Sequence, residues 1–287
     1  MKRFVFLCFV LLPALVLTAA EPEKLLLWSG KAPVGSGKFE EADAILTVHR
    51  PQTPNGTAVV ICPGGGYGGL VREAEGHGIA KWLNGHGITG AVLEYRLPAG
   101  RCEVPLLDAR RALRTVRAHA AVWSLKADRI GIMGFSAGGH LASTAGVQWE
   151  PGDPAAPDPV ERASSRPDFQ VLIYPVVSME SEAHSGSRQR LLGEAPSAEI
   201  RARFSAEKQI NAQTPPAFLA HAVDDRVVTV ANSRNLYTAL KAVGVEAQLL
   251  ELPSGGHGLN GYKGPMWDAW QTGFIQWLTS TGMVPAP

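Results

Sequence analysis

Three kinds of side chain, met in chain order, could together carry out acyl transfer: the hydroxyl of Ser136, a carboxylate at Asp224 or Asp225, and the imidazole of His257. A serine hydroxyl is a poor nucleophile until a base takes its proton, and the base needs an acid to fix its tautomer and stabilise its cation. Ser136 stands in Gly134-Phe135-Ser136-Ala137-Gly138, a G-x-S-x-G pattern. The two aspartates follow a predicted strand ending at His221, and both stay open as the acid on their position alone. His257 is bracketed by Gly256 and Gly258 in a loop after the last predicted strand, which suits a base that reaches over the serine. The other histidines (His49, His77, His86, His119, His140, His184 and His221) read as packing or surface residues, with His140 expected to point into the fold.

Acyl transfer also needs donors for the oxyanion. Pro63-Gly64-Gly65-Gly66-Tyr67-Gly68-Gly69 follows a predicted strand, and glycines let the backbone aim N–H groups at a closely approaching substrate. The expected donors are the N–H of Ala137 and that of Gly65 or Gly66. A phosphate loop is the rival, but no Lys-Ser/Thr follows and the spacing does not fit G-x-G-x-x-G opening a helix.

These residues must be held by strands and helices. The pattern predicts strands over 44–49, 57–62, 88–95, 129–133, 169–174, 217–221 and 246–252. Helices are predicted over 77–85, 105–122, 137–147, 230–243 and 267–279. Such alternation implies an α/β fold, a mostly parallel central sheet with helices on both faces. Arg110, Arg111, Arg114 and Arg117 between the apolar positions of the 105–122 helix read as a solvated face. Residues 149–166 and 175–214 lack clear periodicity, and long loops of this kind are usually functional.

The strand 129–133 running through Gly134 into the helix from Ala137 is the context G-x-S-x-G requires: a sharp turn projects the central serine, while Gly134 and Gly138 let strand and helix approach. The helix N-terminus adds partial positive charge where an oxyanion forms.

Bulk properties exclude other classes. With 27 basic and 26 acidic residues, the net charge of +1 gives no basic face for nucleic acid. A 45% hydrophobic and 18% charged composition fits a packed domain, not a disordered chain. Lys2 and Arg3, the apolar run from Phe4 to Leu17 and the small Thr18-Ala19-Ala20 have the layout of a signal peptide cleaved after Ala20. The run is short of the roughly 20 residues needed to span a bilayer, so a secreted or periplasmic protein without stable membrane association is expected. Residues 21–287 are then a single domain. Past the leader only Cys62 and Cys102 remain, and they read as unpaired thiols, although an exported protein could oxidise them. There is no Cys/His cluster at metal spacing, and no metal or cofactor is expected.

Five stretches resemble α/β-hydrolases of the acetyl xylan esterase type, including the bifunctional feruloyl/acetyl esterase group: TAVVICPGGGYGGL (Thr57 to Leu70), DRIGIMGFSAGGHLAS (Asp128 to Ser143), PDFQVLIYPVVSM (Pro167 to Met179), HAVDDRVVTVANS (His221 to Ser233) and PSGGHGL (Pro253 to Leu259). Pro63 stands where that group often has histidine, Ala222 where it often has glycine, and Thr229 where it often has proline. The resemblance implies the α/β-hydrolase fold and a serine–acid–histidine triad in that order. Its D-x-V-V pattern selects Asp225 as the acid and leaves Asp224 to stabilise the loop. It also implies hydrolysis of acyl esters, chiefly acetyl, on plant polysaccharide such as xylan, with Tyr67 and the 175–214 insertion shaping the acyl and sugar pockets. Trp149 could stack on a sugar ring or simply pack. A general small-ester carboxylesterase and a serine peptidase of the prolyl-oligopeptidase type are alternatives, the latter sharing the H-x-x-D-D and G-G-H-G patterns. Such peptidases usually carry a large N-terminal propeller, and this chain has about 40 residues before its first hydrolase strand. A non-enzymatic binding protein of the same fold would usually have lost a triad member.

Overall fold

Uninterrupted apolar runs such as Val59-Val60-Ile61 and Val171-Leu172-Ile173 suit strands covered on both faces. In the computed structural model, which describes residues 21–41 and 43–285, they form the middle of one large sheet. The predicted leader lies outside the described residues. The strands are β1 (Glu23–Leu26), β2 (Lys31–Pro33), β3 (Phe39–Glu41), β4 (Ile45–His49), β5 (Ala58–Cys62), β6 (Thr89–Glu94), β7 (Ile130–Phe135), β8 (Gln170–Ile173), β9 (Ala217–Ala222) and β10 (Ala247–Leu252). Eight of them lie in the order β1-β4-β6-β5-β7-β8-β9-β10, while β2 and β3 make a separate antiparallel pair. The β1–β4 and β4–β6 pairings are antiparallel, and every other pairing in the large sheet is parallel. The C-terminal ends of β5, β7, β9 and β10 therefore open on the same rim of the sheet, where ligands bind in open α/β sheets.

The helices are α1 (Gly78–Asn84), α2 (Glu103–Ala118), α3 (Ala137–Val147), α4 (Ser185–Leu192), α5 (Ala198–Arg203), α6 (Ala231–Ala242), the single turn α7 (Leu259–Tyr262) and α8 (Pro265–Ser280). Leu113 of α2, Leu141 of α3 and Leu236 of α6 join one core, against one face of the sheet. Leu83 of α1 and Trp270, Phe274 and Trp277 of α8 join a second core on the other face. The predicted layering of helices on both faces is observed. Among the described residues, no helix is long and apolar enough to cross a membrane.

Two expectations change. The arginine-bearing face of α2 is not open to water. Arg110 and Arg114 pair with Glu150, Arg111 with Asp158 and Glu161, Arg114 also with Glu161, and Arg117 with Asp168. Each arginine side chain is only 10–13% exposed. The 149–166 stretch, with Asp168 just beyond it, is thus strapped across α2 by ion pairs rather than by apolar packing, which is why it shows no clear periodicity in sequence. The 175–214 stretch likewise contains α4, α5 and a 3-10 turn at Ala206–Lys208. His184 and Ser197 cap the two helices by accepting from the N–H groups of Ser187 and Ile200.

Candidate active site

The chain turns from β7 into α3 at Ser136, whose backbone has φ 52° and ψ −119°. A non-glycine residue rarely adopts positive φ, and the surroundings must hold it there. They do so through backbone bonds: the Ser136 N–H donates to Ile173 O (3.1 Å), and Ser136 O accepts from the N–H groups of His140 (3.1 Å) and Val176 (3.0 Å). The turn also needs its glycines. A Cβ on Gly134 would lie 2.0 Å from Gly138 O, and one on Gly138 would lie 2.0 Å from Cys62 O.

The structure brings Ser136, His257 and Asp225 together. His257 Nε2 lies 2.9 Å from Ser136 Oγ, and His257 Nδ1 lies 2.7 Å from Asp225 Oδ2. The carboxylate only accepts, so Nδ1 carries the proton and Nε2 is left to accept from the serine hydroxyl. Tyr174 packs edge-on against the His257 ring with centroids 4.9 Å apart. The Asp225 side chain is wholly buried. Its Oδ1 accepts from the N–H groups of Val227 (2.9 Å) and Val228 (3.0 Å). Burial alone would raise its pKa, but hydrogen bonds from His221, His257 and the Val228 N–H prevail and hold it below the usual carboxylate range. Asp224 faces the other way, accepting from the N–H groups of Gly255 (3.2 Å) and Gly256 (2.9 Å). It thereby pins the loop that carries His257.

The glycine-rich loop after β5 lies against the serine: a Cβ on Gly64 would be 3.0 Å from Ser136 Cβ. Positive φ at Gly65 (131°), Gly66 (61°) and Tyr67 (59°) curls the following chain back, with the Gly68 N–H donating to Gly65 O at 3.1 Å. Among the described residues, the N–H groups of Gly65, Gly66 and Ala137 donate to no protein acceptor. Ala137 opens α3, where helical geometry leaves the first amides free. The site therefore offers a hydroxyl, a base in the required tautomer, a buried acid, and unengaged amides beside the serine.

Two expected substrate contacts are placed elsewhere. The Tyr67 side chain is 2% exposed, and its hydroxyl lies 2.8 Å from His140 Nδ1, so it packs inside rather than lining the cleft. His140 Nε2 donates to Phe204 O at 2.7 Å, and burial lowers its pKa to about 4. The neutral ring then accepts from the Tyr67 hydroxyl, tying the glycine-rich loop, α3 and the 175–214 insertion together. Trp149 follows the far end of α3, a helix of eleven residues and about 16 Å, with Arg166 over its ring at 6.0 Å. It packs at the opposite end of that helix from Ser136. A cavity of 740 Å³ lined by Gly85, Ile88, Ile275 and Val284 sits at the N-terminal ends of β5 and β6. No triad residue lines it.

Two residues of the site were not singled out in the sequence. His221 donates from Nε2 to Val228 O (2.9 Å) and lies 3.3 Å from Asp225 Oδ2, so it braces the acid from below. Glu75 is 2% exposed; its Oε2 accepts from the Gly64 N–H (2.7 Å) and its Oε1 from the Tyr174 hydroxyl (2.9 Å). Burial raises its pKa, against the opposing effect of the Gly64, Tyr174 and Tyr262 hydrogen bonds. In sequence it sits in Glu73-Ala-Glu75-Gly76, which a solvated helix start explains equally well. Glu75→Ala should lower stability by about 2–3 kcal/mol, because it strands two buried donors. Glu75→Gln should recover most of that loss. Urea midpoints of the two variants check this, and an alanine variant as stable as wild type would refute it.

Residues 46–240 match the BD-FAE family. An acetylxylan esterase from Xylanibacter ruminicola is 33% identical over 296 residues, covering 100% of this chain and 56% of that protein. Endo-1,4-beta-xylanase B from Butyrivibrio fibrisolvens is 32% identical over 219 residues, covering 75% of this chain and 34% of that protein. The chain thus spans about half or less of the length of these two curated relatives. The solved structure of an acetyl ester-xyloside bifunctional hydrolase from Caldicellulosiruptor lactoaceticus superposes with a TM-score of 0.85 at 36% identity, covering 91% of this chain and 97% of that one. A carboxylesterase from Lactobacillus plantarum, at 19% identity and a TM-score of 0.75, shares the fold. That fold is the α/β-hydrolase arrangement expected from the motifs.

Proposed function

We propose, since the chain belongs to the BD-FAE family, that it is a serine carboxylesterase removing acyl groups, chiefly acetyl, from plant polysaccharide such as xylan. The observation that carries the chemistry is the continuous hydrogen-bonded line from Ser136 Oγ through His257 to Asp225. Ser136 Oγ attacks the ester carbonyl while His257 Nε2 takes its proton. Asp225 keeps the imidazole oriented and stabilises its cation. The N–H groups of Ala137 and of Gly65 or Gly66 hold the oxyanion, each such donor being worth roughly 100- to 1000-fold in rate. Collapse of the tetrahedral intermediate breaks the bond to the sugar oxygen, which takes the proton from His257 and leaves as the sugar hydroxyl. Water then attacks the acyl-Ser136 with the same base, releasing the carboxylic acid and restoring the serine.

The substrate class is supported by the acetylxylan esterase and xylanase names of the relatives and by the acetyl ester-xyloside hydrolase name of the structural neighbour. An extracellular polymer also accords with the leader-like residues 1–20, and we propose that the mature protein is secreted or periplasmic, without stable membrane association. The test is a panel of acetylated and feruloylated xylooligosaccharides, an aryl acetate and a dipeptide amide, with product release followed by mass. Acetate release from the saccharides is expected to dominate. Hydrolysis of the aryl acetate alone would reduce the reading to a small-ester carboxylesterase, and cleavage of the amide would favour a peptidase.

A further inference from the structure

We propose that Arg190 is a specificity-determining residue that selects ester-bearing saccharides carrying a carboxylate, such as a uronic acid branch, close to the scissile ester; this rests on the saccharide-esterase reading above. Arg190 projects from α4 over the glycine-rich loop. Its Nη1 donates to Gly66 O at 3.2 Å, and its carbonyl accepts from the Gly100 N–H at 2.8 Å. The guanidinium lies in a trough made by missing side chains. A Cβ on Gly68 would come within 2.8 Å of its Nε, one on Gly186 within 3.0 Å of its Nη1, and one on Gly66 within 3.4 Å of the same atom.

The trough adjoins the chemistry. Gly66 is two residues from Gly64, which abuts Ser136. His184, at the N-terminus of α4, has its pKa lowered by burial and then by the charges of His257 and Arg190, so it stands in the field of both. His184 Nδ1 lies 2.9 Å from Ser187 Oγ, which steadies this end of the helix.

The charge is unspent. Among the described residues no carboxylate lies within ion-pair distance of Arg190. Three carboxylates of its own insertion are engaged elsewhere: Glu182 with Thr229 (2.9 Å), Glu194 with Gln189 (2.7 Å) and Glu180 with Lys208. Arg190 is exposed, whereas the α2 arginines are largely covered and matched with Glu150, Asp158, Glu161 and Asp168. Arg190 has five N–H donors in a planar fork and uses one of them. A fork bonded at one corner and open on the other is suited to a carboxylate, which takes two parallel N–H bonds. A neutral sugar hydroxyl would leave the charge uncompensated.

The full chain can be tested on a matched pair of acetylated xylooligosaccharides, with and without a glucuronic acid branch beside the acetylated residue, following acetate release. Wild type is expected to favour the acidic member in kcat/KM. Arg190→Gln should shrink that acidic-to-neutral ratio by about tenfold, of the order expected for a hydrogen-bonded charge. Arg190→Lys, which keeps the charge but not the fork, should retain part of the ratio. Added salt should narrow the preference of wild type and leave that of the glutamine variant flat. If Arg190→Gln lowers both substrates alike, the arginine only positions the Gly66 loop and the proposal is wrong. It also fails if wild type shows no acidic preference. If neither oligosaccharide is hydrolysed while an aryl acetate is, the saccharide reading itself falls and takes this inference with it.

Discussion

Replacing Ser136 by alanine should lower kcat on an aryl acetate by about 10⁵- to 10⁶-fold, with little change in stability. The rate falls because the acyl-enzyme can no longer form. Stability holds because, among the described residues, Oγ makes a single hydrogen bond, to His257 Nε2, and the elbow is fixed by backbone bonds to Ile173, His140 and Val176. Some catalysis over water should remain from the free amides, since oxyanion donors act without the nucleophile. The check is steady-state kinetics beside intact mass after a fluorophosphonate: wild type should gain one adduct at Ser136, the variant none. An alanine variant that kept its rate, or still took up the label, would remove Ser136 from the mechanism.

The second large effect belongs to the acid. Asp225→Asn should cost about 10⁴-fold in kcat. An asparagine amide can turn its NH₂ toward His257 Nδ1, which then accepts. The ring proton is driven to Nε2, the atom that must take the serine's proton. The same substitution should change how stability depends on pH. The Asp225 carboxyl is held below its unfolded value by His221, His257 and the Val228 N–H, against the upward pull of burial. An acid with a lowered folded pKa stabilises the fold above its unfolded pKa, about 3.9, and loses that contribution as pH falls toward the folded value. The stability gap between wild type and Asp225→Asn should therefore be full near neutrality and narrow below about pH 4. Urea midpoints between pH 3 and 7 measure it, and a gap that widened in acid would contradict the assignment.

What the sequence revealed, and what it hid, follows from the range of the interactions. Strand β7, the elbow and α3 were legible because apolar runs, glycines and a helical period are all local signals. The same holds for the glycine loop after β5 and for the glycine-flanked His257. The supporting shell was not legible. Glu75 is explained only by meeting Gly64 and Tyr174, the latter 99 residues away. His221 lies four residues from Asp225, yet its role needs the turn through Val227 and Val228 that folds the carboxylate back on it. Tyr67 was expected in the cleft because its neighbours are; that it turns inward depends on His140, 73 residues on. The arginine face of α2 failed for the same reason. An arginine at helical spacing looks alike whether water or a distant glutamate receives it.

The order of strands carries one more consequence. Ser136 is anchored to β7, with strands on both sides, whereas the base hangs from β10, which among the described residues pairs only with β9 and closes one border of the large sheet. Border strands fray before central ones, because half of their backbone groups have no ladder to hold them. Opening at that border would lift His257 away from a serine whose own surroundings are still intact. The enzyme would then have a reversible off state well short of unfolding, so its working temperature range would be set by the attachment of one outer strand rather than by the melting of its core.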